Sequence, residues 1–356
     1  MKIKIFLLLF FLVFLTTSIS TSEAEEIQPI SMNPVYVADD LKKIGGEWGY
    51  NENIILMNDI EIVDETWRPI GYIGKPFTGD VFGGNHTITF TKDTKFVQFS
   101  GSTDANGYGL FGNVYGIKIE NLNIITKGNV TGENNAGLLA GVAGGSSSDP
   151  TIIFNCSVRG DENVSVNGKD NVGGLIGSFV NGTMKNCSSN VSTHAETNNV
   201  GGLIGYSYLC NISAVSATGS VKAGKNNSGG LIGYDYFSKI LNSYATGIVS
   251  AGEGNAGGFL GYAQDATKIS YCTATGTVES PKKTGFIGGW DEENKPIVTG
   301  SFYRETEVDL NNPAGLEKEN YKNYKIFIAV AVGLVLTGIL LIFAVKIRSG
   351  KKQREL

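Results

Sequence analysis

Residues 171–177 read NVGGLIG, and closely related stretches begin at Asn199, Asn227 and Asn255. Each copy starts 28 residues after the previous one, and TGFIGGW at residues 284–290 continues the series. A further copy, NAGLLAG, begins 36 residues before the first, which is one period plus an insertion of eight residues. Equal steps through the middle of the chain indicate an internal repeat, and a repeat of this length indicates a solenoid or a similar array.

Each 28-residue unit carries strand patterns and no helical pattern. Ser220 and Lys222 alternate with Val221 and Ala223, a period of two that is typical of a half-buried strand. We count about three short strands in a unit, too few for a propeller blade. Because such a unit cannot bury a hydrophobic face alone, it must stack on its neighbours. The sequence therefore predicts an all-β fold, a parallel and right-handed β-helix of eight or nine coils.

Glycine is abundant, with 48 residues among 356. We expect glycines to form the corners between strands, where a positive φ is required, and the paired glycines of GGLIG to let neighbouring coils approach. The asparagine that begins each copy suits a turn. It can also stack on its equivalents and share amide hydrogen bonds along the solenoid.

The repeated columns resemble a known motif. N-x-GGLIG, followed by I-x-N-C/S and then ATG-x-V-x-A, is similar to the GLUG motif repeat over residues 36–305. Upstream, YVADDLKKIGG resembles a short leading helix, ILMNDIEI a strand, and residues 67–90 the first coils. Gly83 departs from the family version, which has an aspartate there. The resemblance implies a β-helical surface architecture, since such repeats occur in adhesins and in regions of immunoglobulin A peptidases.

The two ends of the chain predict a membrane topology. An unbroken apolar run at residues 5–15 follows two lysines and precedes small residues, as in a cleaved secretory signal. A second, uncharged run of twenty residues is long enough to span a bilayer, and a basic tail follows it. We expect a signal peptide at residues 1–24, a cap with the first coils at 25–108 and the repeats at 109–304. A linker at 305–325, one transmembrane helix at 326–345 and a cytoplasmic tail at 346–356 would follow.

Composition and charge exclude several classes of protein. Hydrophobic residues make up 41% of the chain and charged residues 18%, which argues against disorder. The net charge is −5, and the basic residues at both ends leave the remainder more acidic, which disfavours nucleic acid as a partner. We therefore predict a single-pass protein of the plasma membrane, with the repeats outside, the C-terminus in the cytoplasm and lipid contacts through the anchor.

An aromatic column is the best candidate for a binding site. Aromatic residues follow the glycine motif at intervals of 28, at Tyr206, Tyr234, Tyr262 and Trp290. On a β-helix these rings would form a strip along one edge, suited to sugar rings or to a protein partner. The alternative is structural, since stacked rings also stabilise the corner of a solenoid.

Asparagine sequons are a second feature of the repeats. Nine Asn-x-Ser/Thr sequences occur, and glycan attachment depends on the host and on accessibility. Asn155 and Asn186 are expected to lie in strands. The remaining candidates for glycosylation are Asn85, Asn129, Asn163, Asn181, Asn190, Asn211 and Asn226.

Candidate catalytic groups do not converge. We expect the acids Asp170, Asp235, Asp265 and Asp291 to fall in different columns, and the two histidines lie far apart. No metal-binding or cofactor-binding pattern is found. Cys156 and Cys187 occupy equivalent positions of adjacent coils, where parallel Cβ directions disfavour a disulfide, so all four cysteines are expected in the core. The sequence therefore favours non-catalytic adhesion or envelope recognition, with a glycan or a cell-surface protein as partner. A carbohydrate-processing enzyme and a purely structural component remain the alternatives.

Overall fold

A computed structural model of the chain describes residues 31–97, 107–282 and 284–303. Within these residues every pair of strands is parallel, and the strands form four sheets that run along a solenoid of about nine coils. Corresponding strands of neighbouring repeat coils are 28 residues apart, so Ile204 pairs with Ile232. The parallel β-helix predicted from the repeat is confirmed. Its handedness stays a prediction.

The ten strands of sheet 1 stack in chain order and are Met32–Val35, Asn53–Leu56, Val81–Phe82, Lys118–Glu120, Thr151–Phe154, Gly182–Lys185, Asn211–Ser213, Lys239–Leu241, Lys268–Ser270 and Ile297–Thr299. The nine strands of sheet 2 are Ile60–Ile62, Thr87–Phe90, Asn123–Thr126, Ser157–Gly160, Ser188–Ser189, Ser216–Ala217, Tyr244–Ala245, Thr273–Ala274 and Phe302–Tyr303.

The eight strands of sheet 3 are Thr66–Trp67, Thr94–Phe96, Val130–Thr131, Ser165–Gly168, Ser192–Ala195, Val221–Ala223, Val249–Ala251 and Val278–Glu279. The ten strands of sheet 4, which carries the glycine motif, are Phe111–Tyr115, Ala140–Gly144, Val172–Gly173, Ile176–Val180, Val200–Gly201, Ile204–Tyr208, Ser228–Gly229, Ile232–Tyr236, Ala256–Gln264 and Thr284–Trp290.

A repeat coil has more strands than the sequence predicted. The coil that begins at Val200 contributes two short strands to sheet 4 and one to each of the other sheets, five in all rather than three. The GGL turn divides the glycine motif, so one recognisable stretch of sequence supplies two strands. The upstream ILMNDIEI stretch is likewise two strands, Asn53–Leu56 and Ile60–Ile62, which lie in different sheets.

The core lies inside the coils and is built from one face of each strand. In Val221–Ala223 the outer two residues are buried and Lys222 is exposed, as a period of two requires. Stacked isoleucines and valines continue this interior through neighbouring coils. At the N-terminal end a short helix, Ala38–Leu41, buries Leu41 against the first coils, which agrees with the predicted leading helix.

The corners are formed by asparagine rather than glycine, which corrects the prediction. Most residues with left-handed φ in the repeats are asparagines, such as Asn171 at 52° and Asn227 at 60°. The repeat glycines allow close approach of the backbone, as was predicted for the paired glycines of GGLIG. A Cβ atom on Gly201 would lie 2.0 Å from the carbonyl oxygen of Ile204. Glycine is therefore required because there is no space for a side chain.

Within the described residues, no helix is long and apolar enough to cross a membrane. The predicted signal peptide at residues 1–24 and the predicted transmembrane helix at residues 326–345 both lie outside the described residues, as do the basic tail and the whole of the predicted linker at residues 305–325.

Candidate functional site

Three tyrosines form a stacked column on the outer face of sheet 4. Tyr206 pairs with Tyr234, which pairs in turn with Tyr262. Their ring centroids are 5.6 and 5.3 Å apart, and the ring planes differ by 19° and 17°. All three side chains are half-buried. The rings therefore cover one another's faces along the column and present their edges and hydroxyl groups outward.

The hydroxyl groups of this column remain protonated at neutral pH. Burial, followed by the charges of the neighbouring tyrosines, raises the pKa of Tyr234 to about 12. Burial also raises the pKa of Tyr206 and of Tyr262. The Tyr234 hydroxyl donates a hydrogen bond to the side-chain oxygen of Gln264. The column thus offers neutral donor groups rather than phenolates.

Trp290 does not belong to this column, so its inclusion in the predicted binding strip is wrong. It pairs with Ala263, and Gly289 pairs with Tyr262. The preceding strand has two consecutive glycines, Gly257 and Gly258, where the last strand has only Gly285. A shift of one residue turns the following side chains to the opposite face of a strand. Trp290 is consequently 8% exposed and packs in the core.

A ladder of asparagine side chains runs beside the tyrosine column. The Nδ2 atom of Asn199 donates to Oδ1 of Asn171 at 2.9 Å, and Asn227 repeats this bond to Asn199 at 2.9 Å. Asn135 lies at one end of the ladder and Asn255 at the other, with bonds of 2.9 and 3.4 Å. The predicted amide ladder is therefore present.

A second, shorter polar ladder lies next to the first. Asn198 donates from Nδ2 to Oδ1 of Asp170 at 3.2 Å, and Asn226 donates to Oδ1 of Asn198 at 3.1 Å. Sequence reasoning did not single out this ladder, although its members are also spaced by 28 residues. The spacing alone does not show that these side chains lie near the tyrosine rings. Their position relative to the rings depends on the bend of sheet 4 between Asn227 and Tyr234.

The amide ladders and the tyrosine column enclose an open groove on the side of the solenoid. Its volume of about 490 Å³ lies within the roughly 300–1,000 Å³ usual for small-ligand sites. Among the residues that the structure describes, one carboxylate and no cationic side chain line it. The lining residues are Asn198, Asn226, Asn227, Tyr234, Asn255, Tyr262, Gln264 and Asp291. Such a surface matches a neutral, hydroxyl-rich ligand, because amides both donate and accept hydrogen bonds.

The four aspartates that were candidate catalytic groups lie in different environments. Asp170 ends the second amide ladder, and Asp291 lies in the groove. Asp265 occupies a left-handed corner with φ of 50°. Asp235 is fully buried, and burial raises its pKa although the carboxylate accepts bonds from Ser207 and from other nearby groups. Among the described residues no group of three His, Cys, Asp or Glu side chains could hold a metal ion.

Both histidines lie on the surface of the solenoid and away from the groove lining. His86 approaches Asp59 at 3.4 Å. His194 is half-buried in sheet 3, and burial together with the charge of Lys222 lowers its pKa. Neither histidine lines the groove with the tyrosines.

The candidate glycosylation sites differ in accessibility. Asn181 and Asn226 are half-buried, and the other five are exposed: Asn85, Asn129, Asn163, Asn190 and Asn211. The expectation that Asn155 and Asn186 lie in strands is wrong. Both occupy exposed left-handed corners, with φ of 52° and 56°.

All four cysteines are buried free thiols. Cys156 and Cys187 stack in adjacent coils, and each donates a hydrogen bond from sulfur to a backbone carbonyl. Burial raises the pKa of Cys210 and of Cys272 to about 12. These thiols therefore fill the core and do not act as nucleophiles.

Comparison with known proteins supports the repeat and the fold. The GLUG motif family matches residues 196–222 and 252–279, which are two of the 28-residue units. No curated protein matches the chain. A solved structure described as a putative immunoglobulin A1 protease from Bacteroides ovatus has a TM-score of 0.51 and 18% identity, over 77% of this chain and 75% of that one. At this identity the likeness shows the fold alone.

Proposed function

We propose that this GLUG-repeat solenoid is a non-catalytic recognition protein, anchored at the cell surface, that adheres to a glycan or a cell-surface protein through the groove on sheet 4. The observation that carries the proposal is the half-buried tyrosine column, flanked on one side by two amide ladders. Tyrosine combines a large, rigid contact area with a hydroxyl donor, a combination that favours recognition. The predicted signal peptide and membrane anchor support the location.

The lining of the groove favours binding over catalysis. Glycoside hydrolysis ordinarily uses two carboxylates that flank the scissile bond, about 5–9 Å apart. Asp291 is the one carboxylate in the lining of the groove within residues 31–97, 107–282 and 284–303. Asp235 is sealed inside the core, where no substrate can reach it. A carbohydrate-processing enzyme is therefore the weaker proposal. The protease description of the structural neighbour adds no catalytic residue to this chain.

An adhesion assay tests the proposed function. Cells that display the full chain would be applied to surfaces coated with mucin or with matrix glycoproteins. We expect Tyr206→Ser combined with Tyr234→Ser to reduce adhesion at least fivefold, because the change removes the Tyr234 ring that lines the groove and the Tyr206 ring that is stacked on it. The matched control replaces two exposed tyrosines on other faces, Tyr244 and Tyr271, by serine. Equal adhesion of both variants and the parent would refute the proposal.

A parallel measurement addresses the enzyme alternative. Purified full chain would be incubated with neutral and acidic oligosaccharides, and new reducing ends would be quantified. We expect none above the background of a blank preparation. Hydrolysis that disappears in Asp291→Asn would instead establish a catalytic groove.

A further inference from the structure

Sheet 1 presents a basic outer face in its C-terminal half. Its last five strands, from Gly182–Lys185 to Ile297–Thr299, contain three lysines and no acidic residue, although the chain as a whole has a net charge of −5. Lys239 and Lys268 lie directly opposite each other in neighbouring strands. Like charges in this arrangement destabilise a sheet. Both lysines are exposed, and among the described residues neither forms an ion pair.

Exposed apolar side chains lie beside these lysines in the same coil. Phe237, Lys239 and Leu241 are exposed and alternate with the buried residues Ser238 and Ile240. With a period of two, the three exposed side chains all point away from the core. At a rise of about 3.3 Å per residue, Phe237 and Leu241 lie about 13 Å apart, with the lysine between them.

Neighbouring coils continue this surface. Leu209 occupies the corner position of Phe237 one coil earlier, and Ile297 pairs with Lys268 in the last coil. Both apolar side chains are exposed. Coils spaced by about 4.8 Å make the surface about 14 Å long along the solenoid. We call it the sheet 1 patch, and its members are Leu209, Phe237, Lys239, Leu241, Lys268 and Ile297.

Two members of the sheet 1 patch hold a strained backbone. Leu209 and Phe237 have φ of 55° and 60°, and Asn181 occupies the same corner one coil earlier. An ordinary L-residue loses free energy in this conformation, and residues strained in this way cluster at functional sites. Because both side chains are exposed, burial within the chain does not offset the strain. The observation therefore points to a contact outside the chain.

The predicted membrane anchor brings the sheet 1 patch close to a bilayer. The described chain ends at Tyr303 in the last coil, and the uncharged run of twenty residues begins at Ile326. Even a fully extended chain spans no more than about 3.6 Å per residue, so with that anchor the last coil lies within about 80 Å of the bilayer. Such confinement gives a high effective concentration, and a contact that is weak by itself then suffices.

We propose that the sheet 1 patch docks on the surface of the bilayer that anchors the chain, with its apolar side chains among the headgroups and its lysines against anionic lipid phosphates. The inference goes beyond the proposed adhesion and shares with it only the predicted anchor. The tyrosine column lies on sheet 4, so docking through sheet 1 uses a different face from the groove.

The chemistry of the patch favours a lipid surface over a soluble polyanion. Lysines near an anionic bilayer are attracted to its headgroups, and aliphatic and aromatic side chains leave water for the boundary between headgroups and acyl chains. A soluble polyanion would satisfy the lysines and leave the leucine, isoleucine and phenylalanine side chains in water. Asp265 lies at the adjoining corner, where it interacts with the Tyr236 hydroxyl rather than with these lysines.

Lysine modification in a bilayer tests the docking. Full chain would be inserted into nanodiscs of phosphatidylcholine, with or without phosphatidylglycerol, and into micelles of a neutral detergent. A trace of a water-soluble acylating reagent would then be added and each lysine quantified by mass spectrometry. We expect Lys239 and Lys268 to react at least threefold more slowly in the anionic discs than in micelles, and high salt to reverse part of this protection. Lys222, exposed on sheet 3, should react equally in all three.

Substitutions that keep the fold identify the contacts. Leu209→Asn combined with Phe237→Asn should at least halve the protection of both lysines, because it removes two apolar side chains and introduces a residue that suits a left-handed corner. Ile248→Asn is the matched control, since Ile248 is 56% exposed immediately before a strand of sheet 3. Lys239→Gln should likewise lower the protection of Lys268.

The outcomes separate this inference from the proposed function. Equal reaction of Lys239 and Lys268 in micelles and in both kinds of disc would overturn the docking, as would equal protection in neutral and anionic discs. Protection that appears in micelles and grows with protein concentration would overturn it in favour of a second copy of the chain. Failure of the chain to enter the discs would refute the predicted anchor and the docking together. Adhesion through sheet 4 is judged separately, by the groove variants.

Discussion

The corner between sheets 4 and 1 contains two apolar residues in the left-handed conformation. Leu209 has φ of 55° and Phe237 has φ of 60°, and both side chains are exposed, at 39% and 52%. Asn181 occupies the same corner one coil earlier, with φ of 49°. We expect Leu209→Asn and Phe237→Asn to stabilise the protein, because asparagine tolerates this conformation better than other side chains.

The expected gain in the free energy of unfolding is the backbone strain that asparagine relieves, less the small contribution of the exposed apolar side chains. A left-handed conformation costs an ordinary L-residue about 1–2 kcal/mol, and asparagine recovers part of this through its local hydrogen bonds. The exposed apolar side chains contribute little burial, so each substitution should gain about 1 kcal/mol. For a domain of this size, about 1 kcal/mol corresponds to a rise of roughly 2–4 °C in Tm. The double variant should gain about twice as much.

Thermal unfolding followed by circular dichroism measures this gain. Leu241→Asn is the matched control, since Leu241 is 40% exposed and lies in the extended strand Lys239–Leu241. Asparagine is disfavoured in strands, so the control should leave Tm unchanged or lower it. A fall in Tm for both corner variants, equal to that of the control, would show that Leu209 and Phe237 carry no left-handed strain.

Three further measurements test the interior. The free energy of unfolding of the parent should decline as the pH rises above the ordinary aspartate pKa of 3.8, because burial raises the pKa of Asp235 and the unfolded chain releases that proton first. Asp235→Asn should remove this decline; urea titrations at several pH values would show it, and a decline of the same slope in the variant would contradict it. Gly201→Ala should destabilise by about 1–3 kcal/mol or more through backbone overlap, whereas Gly144→Ala, whose Cβ would meet nothing closer than 3.4 Å, should be tolerated in the same titration. A thiol reagent should label no cysteine in the native protein and all four after denaturation, since burial raises the pKa of Cys210 and Cys272 to about 12. Rapid labelling of the native protein would contradict the burial of the four cysteines.

The sequence predicted the coil and its period because every unit repeats the same spacing. It could not decide whether glycine or asparagine forms the corners. Both residues suit a turn, and only the packing shows that Gly201 is confined by the Ile204 carbonyl of its own coil and by the backbone of the next coil, while Asn199 forms the corner. One strand was missed because the GGL turn that divides the motif contains no polar residue to mark it. Another, such as Ser216–Ala217, is only two residues long and too short to show an alternating pattern.

The candidate site was partly predictable for the same reason. The tyrosine spacing located the column, since Tyr206, Tyr234 and Tyr262 are separated by whole periods. The position of Trp290 could not follow from counting, because one missing glycine changes the face on which every later side chain lies. The position of the amide side chains opposite the rings depends on the bend of sheet 4, and the spacing of residues in the sequence does not reveal that bend.

Chemical labelling of tyrosine, with and without ligand, tests the central claim most directly. Full chain would be nitrated under native conditions in the presence of a neutral oligosaccharide mixture, and each tyrosine would be quantified by mass spectrometry. We predict that ligand protects Tyr262 several-fold and leaves Tyr244 and Tyr271 unprotected, since these two are 48% and 60% exposed outside the groove. Equal labelling of Tyr262 with and without every oligosaccharide would contradict a carbohydrate-binding groove on this face.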